Sequence, residues 1–433
     1  MPGLLRPVLF LVFGVGPALA IAGGPEDFDT APESAAATLL PAALVAGPDF
    51  HVVDPVQGDG LMNRFVLESR FGTFGAYGRA ALAVRVREVA ALHELARTSD
   101  VAIAAGGAVQ GVQSEVKTAA GVVTHPVETV TGIPRGIGHL FGGYRARGEE
   151  AVADARQDVN AARAGAAAGG SAGEGAAHAA DRGAHAAQSY AARYLGITAA
   201  ERDYYRRLGI DPYTDNQVLR DTIHRDARIR AAAGFGMKFV GLPGIPGIGL
   251  TQRAVDAIYN EDPAVIRRRT RATLAAYGLS AAEIAAFLDA PLLSPTRQML
   301  LLENAESLAG VAGRGELFRH SIGLTSPEEV EVYLASVALL VKAHAGEPVA
   351  ALVAGVRLPT ALRADGRLVV CGAFESIYWT AGVADLEAQL EAALPAQPQP
   401  VARELWIAGT LSGRARAALE SRGWQLRPQN LPP

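Results

Sequence analysis

The chain has 433 residues, of which 49% are hydrophobic and 19% charged, so a wholly disordered protein is excluded and two or three domains are expected. The formal net charge is −4 and no block of lysine or arginine stands out, which argues against a nucleic-acid-binding surface. The single cysteine, Cys371, excludes an internal disulfide and a cysteine-based zinc site.

The N-terminus has the pattern of a secretory signal peptide, which we assign to residues 1–22. Arg6 precedes an apolar stretch from Val8 to Val15, and Ala18–Ala20 supply small residues before a cleavage point. The stretch is shorter than the about 20 apolar residues that cross a bilayer, and no cysteine directly after it offers a site for lipid attachment. A retained anchor is the alternative. Arginine and alanine far outnumber lysine, as in GC-rich bacterial genomes, so the sequence predicts a periplasmic or secreted bacterial protein.

Residues 23–48 contain four prolines among alanines and acids, which favours an extended leader over a packed element. Residues 49–148 are predicted to form a small antiparallel β-meander, then a helix, then a loop rich in glycine and proline. The three predicted strands are Phe50–Val56, Leu61–Ser69 and Thr73–Tyr77. The helix is indicated by Leu82, Val86, Val89, Leu92 and Ala96, which recur at steps of three and four.

Residues 149–189 are dominated by alanine and glycine and bury little apolar surface, so we predict a low-complexity linker. Residues 190–346 are predicted to form a helical domain, in which four helices begin at capping residues. These are Asp262, Ser280, Ser294 and Ser326. Residues 347–427 alternate strand and helix patterns and predict a small α/β unit, followed by a tail at 428–433. The expected fold class is therefore a helix-dominated α+β protein.

Several short motifs resemble those of an uncharacterised family of exported bacterial proteins. They are Gly60-Leu61 with Phe71–Phe74, then His125–Thr129, Gly209–Tyr213, and Gly423-Trp424 near the end. The resemblance covers most of residues 50–427. It implies export and implies no particular activity.

Polar residues that could support chemistry are few and scattered. His125 and His139 lie in the loop rich in glycine and proline, a setting in which functional residues are common. His224 lies in a helical stretch and Cys371 in an apolar strand, where a structural role is the simpler interpretation. Neither a complete metal-ligand pattern nor a complete catalytic motif is found, so no metal and no cofactor are predicted.

An apolar segment at residues 231–250 has one charge, Lys238, together with six glycines and two prolines, which argue against a transmembrane helix. One interpretation is a buried turn between two helices. The other is an exposed loop that contacts a membrane surface or a protein partner. Its contact candidates are Phe235, Met237, Phe239, Leu242, Ile245 and Ile248.

These patterns predict an exported envelope protein with a non-catalytic interaction or scaffolding role, whose partner is an envelope protein or the membrane surface. The alternative is a periplasmic hydrolase with dispersed catalytic residues. The two functions differ in where they require these side chains to lie. A hydrolase needs His125, His139, His224 or Cys371 to meet acidic partners in one pocket.

The signal-peptide assignment predicts the mature N-terminus. We expect cleavage after Ala20 or Ala22, so that the exported protein begins at Ile21 or Gly23. Intact-mass and N-terminal peptide mass spectrometry of the protein from the periplasmic fraction measures this directly. Recovery of an exported pool that retains Met1 would contradict the assignment.

Overall fold

The computed structural model describes residues 28–106, 137–141, 197–233, 252–395 and 400–429. Within them the chain is a helix-dominated α+β protein, as the sequence predicts, with one antiparallel sheet near the N-terminus and another sheet near the C-terminus. The segments predicted to be a signal peptide (residues 1–22) and an alanine- and glycine-rich linker (residues 149–189) lie outside the described residues, as do most of residues 107–148.

The N-terminal sheet is antiparallel throughout and is centred on its longest strand, β5. Its strands are β1 (Glu33–Ser34), β2 (Ala46–Gly47), β3 (Phe50–Val52), β4 (Val56–Gly58), β5 (Asn63–Ser69) and β6 (Gly72–Tyr77). Strand β6 pairs with one edge of β5, while β4 and β3 pair with successive halves of the other edge. The meander is confirmed, but the first predicted strand divides in two at Pro55, which has no amide hydrogen for the ladder.

The described part of the leader is packed, which differs from the extended segment that its prolines suggested. Residues 36–39 form the short helix α1 (Ala36–Leu39), and Pro41 precedes a second short helix, α2 (Ala42–Val45). Ala36 and Leu40 are buried with the apolar residues of the N-terminal sheet. Ala36 and Leu40 therefore cover one part of the sheet, while Pro32 precedes β1 and Pro41 and Pro48 lie between short elements.

Helix α3 (Arg79–Gly106) joins the sheet to the helical region. Its first turns pack Leu82 and Val89 against the sheet, and its next turns pack Leu92 and Leu95 against helices from the second half of the chain. The predicted apolar stripe is confirmed as core. One face of one helix thus serves two hydrophobic clusters in succession.

The helical region contains eight helices within residues 197–233 and 252–346. They are α4 (Ala199–Leu208), α5 (Gln217–Ala233), α6 (Gln252–Asn260), α7 (Pro263–Ala276), α8 (Ala281–Leu288), α9 (Pro295–Ser307), α10 (Glu316–Ile322) and α11 (Pro327–Gly346). All four predicted capping side chains accept a backbone hydrogen bond. Ser326 and Glu329 have the spacing of a capping box. The box is incomplete, because the Glu329 carboxylate accepts from the Thr325 amide and not from that of Ser326.

The C-terminal unit is a five-stranded sheet with two crossover helices. Its elements are β7 (Ala351–Leu352), β8 (Thr360–Leu362), β9 (Leu368–Gly372), β10 (Ser376–Ile377), α12 (Ala381–Ala393), β11 (Arg403–Ile407), β12 (Thr410–Leu411), α13 (Gly413–Ser421) and β13 (Trp424–Pro428). Strands β9, β11 and β13 are parallel, while β8 and β7 continue the sheet in antiparallel fashion. Strands β10 and β12 form a separate parallel pair.

Two features of this unit differ from the sequence-based assignment. Residues 349–356 have the apolar pattern of a strand but contribute only the two residues of β7, and the neighbouring β8 was not predicted. In addition, one hydrophobic cluster extends from Leu61, before β5, to Trp424 in β13, and it includes residues on both sides of the boundary expected at residues 346 and 347. The helices from α7 to α11 and the C-terminal sheet therefore share one core.

The loop at residues 58–63 joins the N-terminal sheet to the C-terminal unit. The Leu61 carbonyl accepts hydrogen bonds from the amides of Glu375 and Ser376, and the Gly60 carbonyl accepts from Tyr378. Gly60 has a positive φ of 95°, and a Cβ there would lie 3.2 Å from the Thr380 side chain. A glycine at this position thus allows the loop to approach the start of α12.

Glu375 provides the charged contact between the same two parts. One of its carboxylate oxygens accepts from the Asn63 amide at 3.2 Å and from Asn63 Nδ2 at 2.8 Å. The other accepts from the Arg79 amide at the start of α3 and lies 3.4 Å from Arg79 Nε. Because four donor groups converge on one carboxylate that is 10% exposed, its removal leaves several of them without a partner.

We predict that Glu375→Gln lowers the free energy of unfolding by about 1.5 to 3 kcal/mol, because the amide loses the charge and turns two donor hydrogens toward existing donors. Chemical unfolding followed by circular dichroism measures the change. Glu420→Gln is the matched control, since Glu420 is 53% exposed and its pair with Arg416 is on the surface. Equal unfolding midpoints for the two variants would contradict the assigned role.

Candidate functional site

Most of the residues selected from the sequence lie outside the described part of the chain. These are His125 and the six apolar contact candidates Phe235, Met237, Phe239, Leu242, Ile245 and Ile248. His139 belongs to a single turn of 3₁₀ helix, Gly138–Phe141, and its side chain is also outside the described set. The structure does describe the side chains of His224 and Cys371.

Cys371 lies in the centre of β9, where it is fully buried between the neighbouring strands and the helices that cover them. Burial raises the pKa of its thiol far above the ordinary range. The thiol therefore stays protonated at physiological pH and acts as a small apolar side chain of the core.

His224 lies on the exposed side of α5, and its Nδ1 is 2.5 Å from Glu201 Oε1. Glu201 also completes the capping box of α4 by accepting from the Thr198 amide. Burial alone would raise the pKa of Glu201, but hydrogen bonds from Thr198 and His224 hold it below its ordinary value. His224 therefore joins the start of α4 to α5, and the structure does not bring it together with Cys371, which belongs to a different cluster.

A group of polar side chains that the sequence did not single out lies where α3, α9 and the loop at 209–216 meet. We call it the polar junction and define it as Arg85, Glu88, Asp211, Thr214, Asn216 and Thr296. Glu88 is 1% exposed and accepts from Thr214 Oγ1, from Asn216 Nδ2 at 3.0 Å and from Arg85 Nη1 at 2.8 Å. Three hydrogen bonds compensate the cost of burying this carboxylate.

Asp211 is the second carboxyl group of the polar junction. Its Oδ1 accepts from Thr296 Oγ1 at 2.6 Å and from the Tyr213 amide at 2.9 Å. Burial raises the pKa of Asp211 to about 6, an effect to which the charge of Glu88 adds and which Arg297 reduces. With this pKa, Asp211 changes its charge near pH 6.

The sequence contained a signal for the polar junction. On the wheel of α3, Arg85 and Glu88 fall within the apolar arc that runs from Leu82 through Leu92 to Leu95. An apolar stripe on one face of a helix normally leaves the charged residues facing solvent, but Glu88 is buried. A charged residue inside an apolar arc, with a partner three residues away, is the pattern that indicates a buried ion pair.

The carboxyl ends of parallel strands are the usual ligand site in open α/β sheets. In this protein the loop at 58–63 and Asp29 contact that edge, and we call residues 28–31, which precede β1, the strap. Asp29 of the strap accepts from the Trp379 amide at 2.7 Å, from Ser412 Oγ at 2.5 Å and from Arg414 Nη1 at 3.0 Å. Burial opposes its ionisation, but these hydrogen bonds outweigh it and lower the pKa of Asp29.

A small apolar cavity lies beneath this edge, with Leu61, Phe374, Trp379 and Trp424 among its lining residues. Its volume is about 20 Å³, which is room for about one water molecule and too little for a substrate. Glu387 contributes one carboxylate to the lining and accepts from Trp424 Nε1 at 3.0 Å. Burial raises the pKa of Glu387.

Across residues 28–106 and the other described ranges, no three side chains of His, Cys, Asp or Glu are grouped so that they could hold a metal ion. No helix in the part of the chain that the structure describes combines the length and the apolar character needed to cross a membrane.

Comparison of the chain with protein-family models, with curated proteins and with solved structures finds no match.

We predict that Asp211→Asn removes a pH-dependent loss of stability. The folded-state pKa of about 6 exceeds the usual value of 3.8, so the folded protein binds this proton more tightly than the unfolded chain. The associated stabilisation is complete below pH 3.8 and is lost as the pH rises through 6. The asparagine keeps both hydrogen bonds to Oδ1, so the variant should be more stable than the wild type at pH 7.5, by up to about 3 kcal/mol.

Chemical unfolding at intervals from pH 4 to pH 8 measures this dependence. Asp385→Asn is the control, because Asp385 is exposed on α12 and its replacement should leave the profile unchanged. Parallel profiles for wild type and Asp211→Asn would contradict the assigned origin of the effect.

Proposed function

We propose that the protein is exported to the bacterial envelope and there binds another envelope component without catalysing a reaction. The N-terminal pattern of Arg6, an apolar stretch and Ala18–Ala20 supports export. The same pattern supports a periplasmic or secreted location for the mature chain.

One observation supports the non-catalytic role: side chains that could take part in catalysis have structural roles in this fold. Cys371 is buried as a protonated thiol, and His224 is bound to the capping residue Glu201. The carboxyl edge of the parallel strands is filled by the loop at 58–63 and by Asp29. Each of these groups already has a structural role, so these groups do not support the hydrolase function.

The partner surface that we propose is the apolar segment at residues 231–250. It connects α5 to α6, and its sequence carries Lys238 as its one charge among large apolar residues. Such a sequence favours contact with an apolar surface on a membrane or on an envelope protein over full solvation. A buried turn is the competing interpretation, and the two differ in what the aromatic residues contribute to stability.

A periplasmic hydrolase is the second candidate function. The specific observation in its favour is the pair of carboxyl groups in the polar junction, since Glu88 is fully hydrogen-bonded while the pKa of Asp211 is raised to about 6. Pairs of carboxyl groups in different environments are typical of acid–base catalysis. Hydrolysis of model ester, peptide or glycoside substrates that is abolished by Asp211→Asn would favour this function over the first.

The interaction function predicts that Phe235→Ser combined with Phe239→Ser abolishes binding while the thermal midpoint stays nearly unchanged. Binding is measured as retention of the tagged mature protein on phospholipid vesicles and as co-purification from envelope extracts, each compared with the wild type. The physical reason is that exposed aromatic residues contribute to the interface and little to the core.

Phe65→Ser is the matched control, because Phe65 is 1% exposed in the N-terminal core and its loss should cost about 3 to 5 kcal/mol. A drop in midpoint for the double variant as large as that of the control would assign residues 235 and 239 to the core and overturn this partner surface.

A further inference from the structure

The strap is attached to the rest of the protein by polar contacts and buries little of itself. From Phe28 to Ala31 every residue of the strap is exposed or half-buried, and only beyond it do Glu33 and Ser34 pair with β4 of the N-terminal sheet. Segments with few buried apolar contacts open at a small fraction of the free energy of global unfolding. The strap therefore has the properties of a segment that detaches while the core stays folded.

The surface beneath Asp29 is, by contrast, a rigid part of the C-terminal core. Trp379 is 2% exposed, and Thr380 beside it caps α12. Ser412 caps α13, since its Oγ accepts from the Ala415 amide at 2.9 Å while donating to Asp29. The surface that donates to Asp29 is thus formed by two helix starts and one buried aromatic residue of the C-terminal core.

This surface is complementary to an acidic, extended peptide. The Trp379 amide, Ser412 Oγ and Arg414 Nη1 all donate to the Asp29 carboxylate, which lies at the positive end of α13. The backbone is also recognised, because the Trp379 carbonyl accepts from the Asp29 amide at 2.8 Å and Arg414 Nη1 lies 3.3 Å from the Phe28 carbonyl. The contacts therefore select a carboxylate on an extended backbone.

We propose that the surface formed by Trp379, Ser412 and Arg414 is a recognition groove for an acidic extended segment of an envelope protein, and that the strap is its resident ligand supplied by the same chain. Partner binding then proceeds by exchange, in which the partner carboxylate replaces that of Asp29. That the partner is an envelope protein rests on the proposed interaction function. The groove adds a second contact site, which does not involve residues 231–250.

The tether between strap and groove determines how such an exchange behaves. A ligand on the same chain acts at an effective concentration in the millimolar range, so it competes strongly with any free peptide. Weakening the strap should therefore raise the affinity for a peptide in trans, because the groove itself is unchanged. A contact that serves the fold alone would leave no such binding site behind.

Hydrogen exchange on the wild-type mature protein tests whether the strap opens. The amides of Asp29 and Trp379, which bond across the strap contact, should exchange at least 100-fold faster than the Cys371 amide, which donates to the Pro359 carbonyl at 3.0 Å within the core sheet. Equal protection of all three amides would show that the strap opens only with global unfolding and would overturn the proposal.

Peptide binding tests recognition in trans. The probe is a fluorescent peptide of residues 26–34, with a matched peptide in which alanine replaces the aspartate of position 29. By fluorescence anisotropy, Asp29→Ala protein should bind the probe at least tenfold more tightly than the wild type. The alanine peptide, and the protein variant Asp29→Ala with Arg414→Gln, should each show at least fivefold weaker binding than the probe with Asp29→Ala alone.

Two results would overturn the proposal: equal affinity of wild type and Asp29→Ala for the probe, or equal affinity of Asp29→Ala for the two peptides. The exchange measurement needs no variant, so it remains decisive if Asp29→Ala is unstable. Neither measurement uses an envelope partner or the segment at 231–250, so failure of the interaction function is seen separately, in the retention experiment with Phe235 and Phe239.

Discussion

The contact between the loop at 58–63 and the carboxyl edge of the C-terminal sheet is the constraint on which the rest of the structure depends. It is made of backbone hydrogen bonds from Gly60 and Leu61 together with the carboxylate of Glu375. These groups connect the N-terminal sheet, the start of α3 and the C-terminal core at a single place. Because backbone polar groups and a carboxylate are satisfied there, neither part can separate without leaving them unpaired.

The loop itself is held in shape by Asp59. Its Oδ1 accepts from the amides of Leu61 and Met62, and its Oδ2 accepts from the Tyr77 hydroxyl at 2.6 Å. The resulting turn presents the Gly60 and Leu61 carbonyls outward, toward the amides of the C-terminal unit. An aspartate followed by glycine therefore has a defined role here, which is to shape a docking loop.

Local patterns in the sequence predicted most helices and strands, but they did not predict the contacts between elements that are distant in the chain. The cap at Ser280 and the turn at 364–366 depend on residues a few positions apart, so their spacing is readable. Glu375 and Asn63 are 312 residues apart, and nothing in either neighbourhood encodes their meeting. Short strands such as β8 were also not predicted, because three residues show too little alternation of apolar and polar side chains to be recognised.

The same limit applies to the polar junction. Asp211 is unremarkable in its own stretch of sequence, and its raised pKa arises from the burial that the assembled helices create. Arg85 lies in the same arc of α3 as the core residues, so its partner Glu88 could have been inferred to be buried with it. The helical wheel carried this information, but hydrophobic periodicity alone does not separate a buried ion pair from a solvated one.

The occupied edge of the C-terminal sheet joins these observations to function. A parallel sheet with crossover helices presents amides and helix starts at the carboxyl ends of its strands, and these groups need partners. In this protein the partners come from the chain itself, through Leu61 on one side and Asp29 on the other. The Leu61 contact lies next to the buried side chains of the core, whereas the Asp29 contact lies in a strap without fully buried residues. Of the two, the second involves fewer buried groups, and for that reason the proposed exchange replaces Asp29 and leaves the Leu61 contact in place.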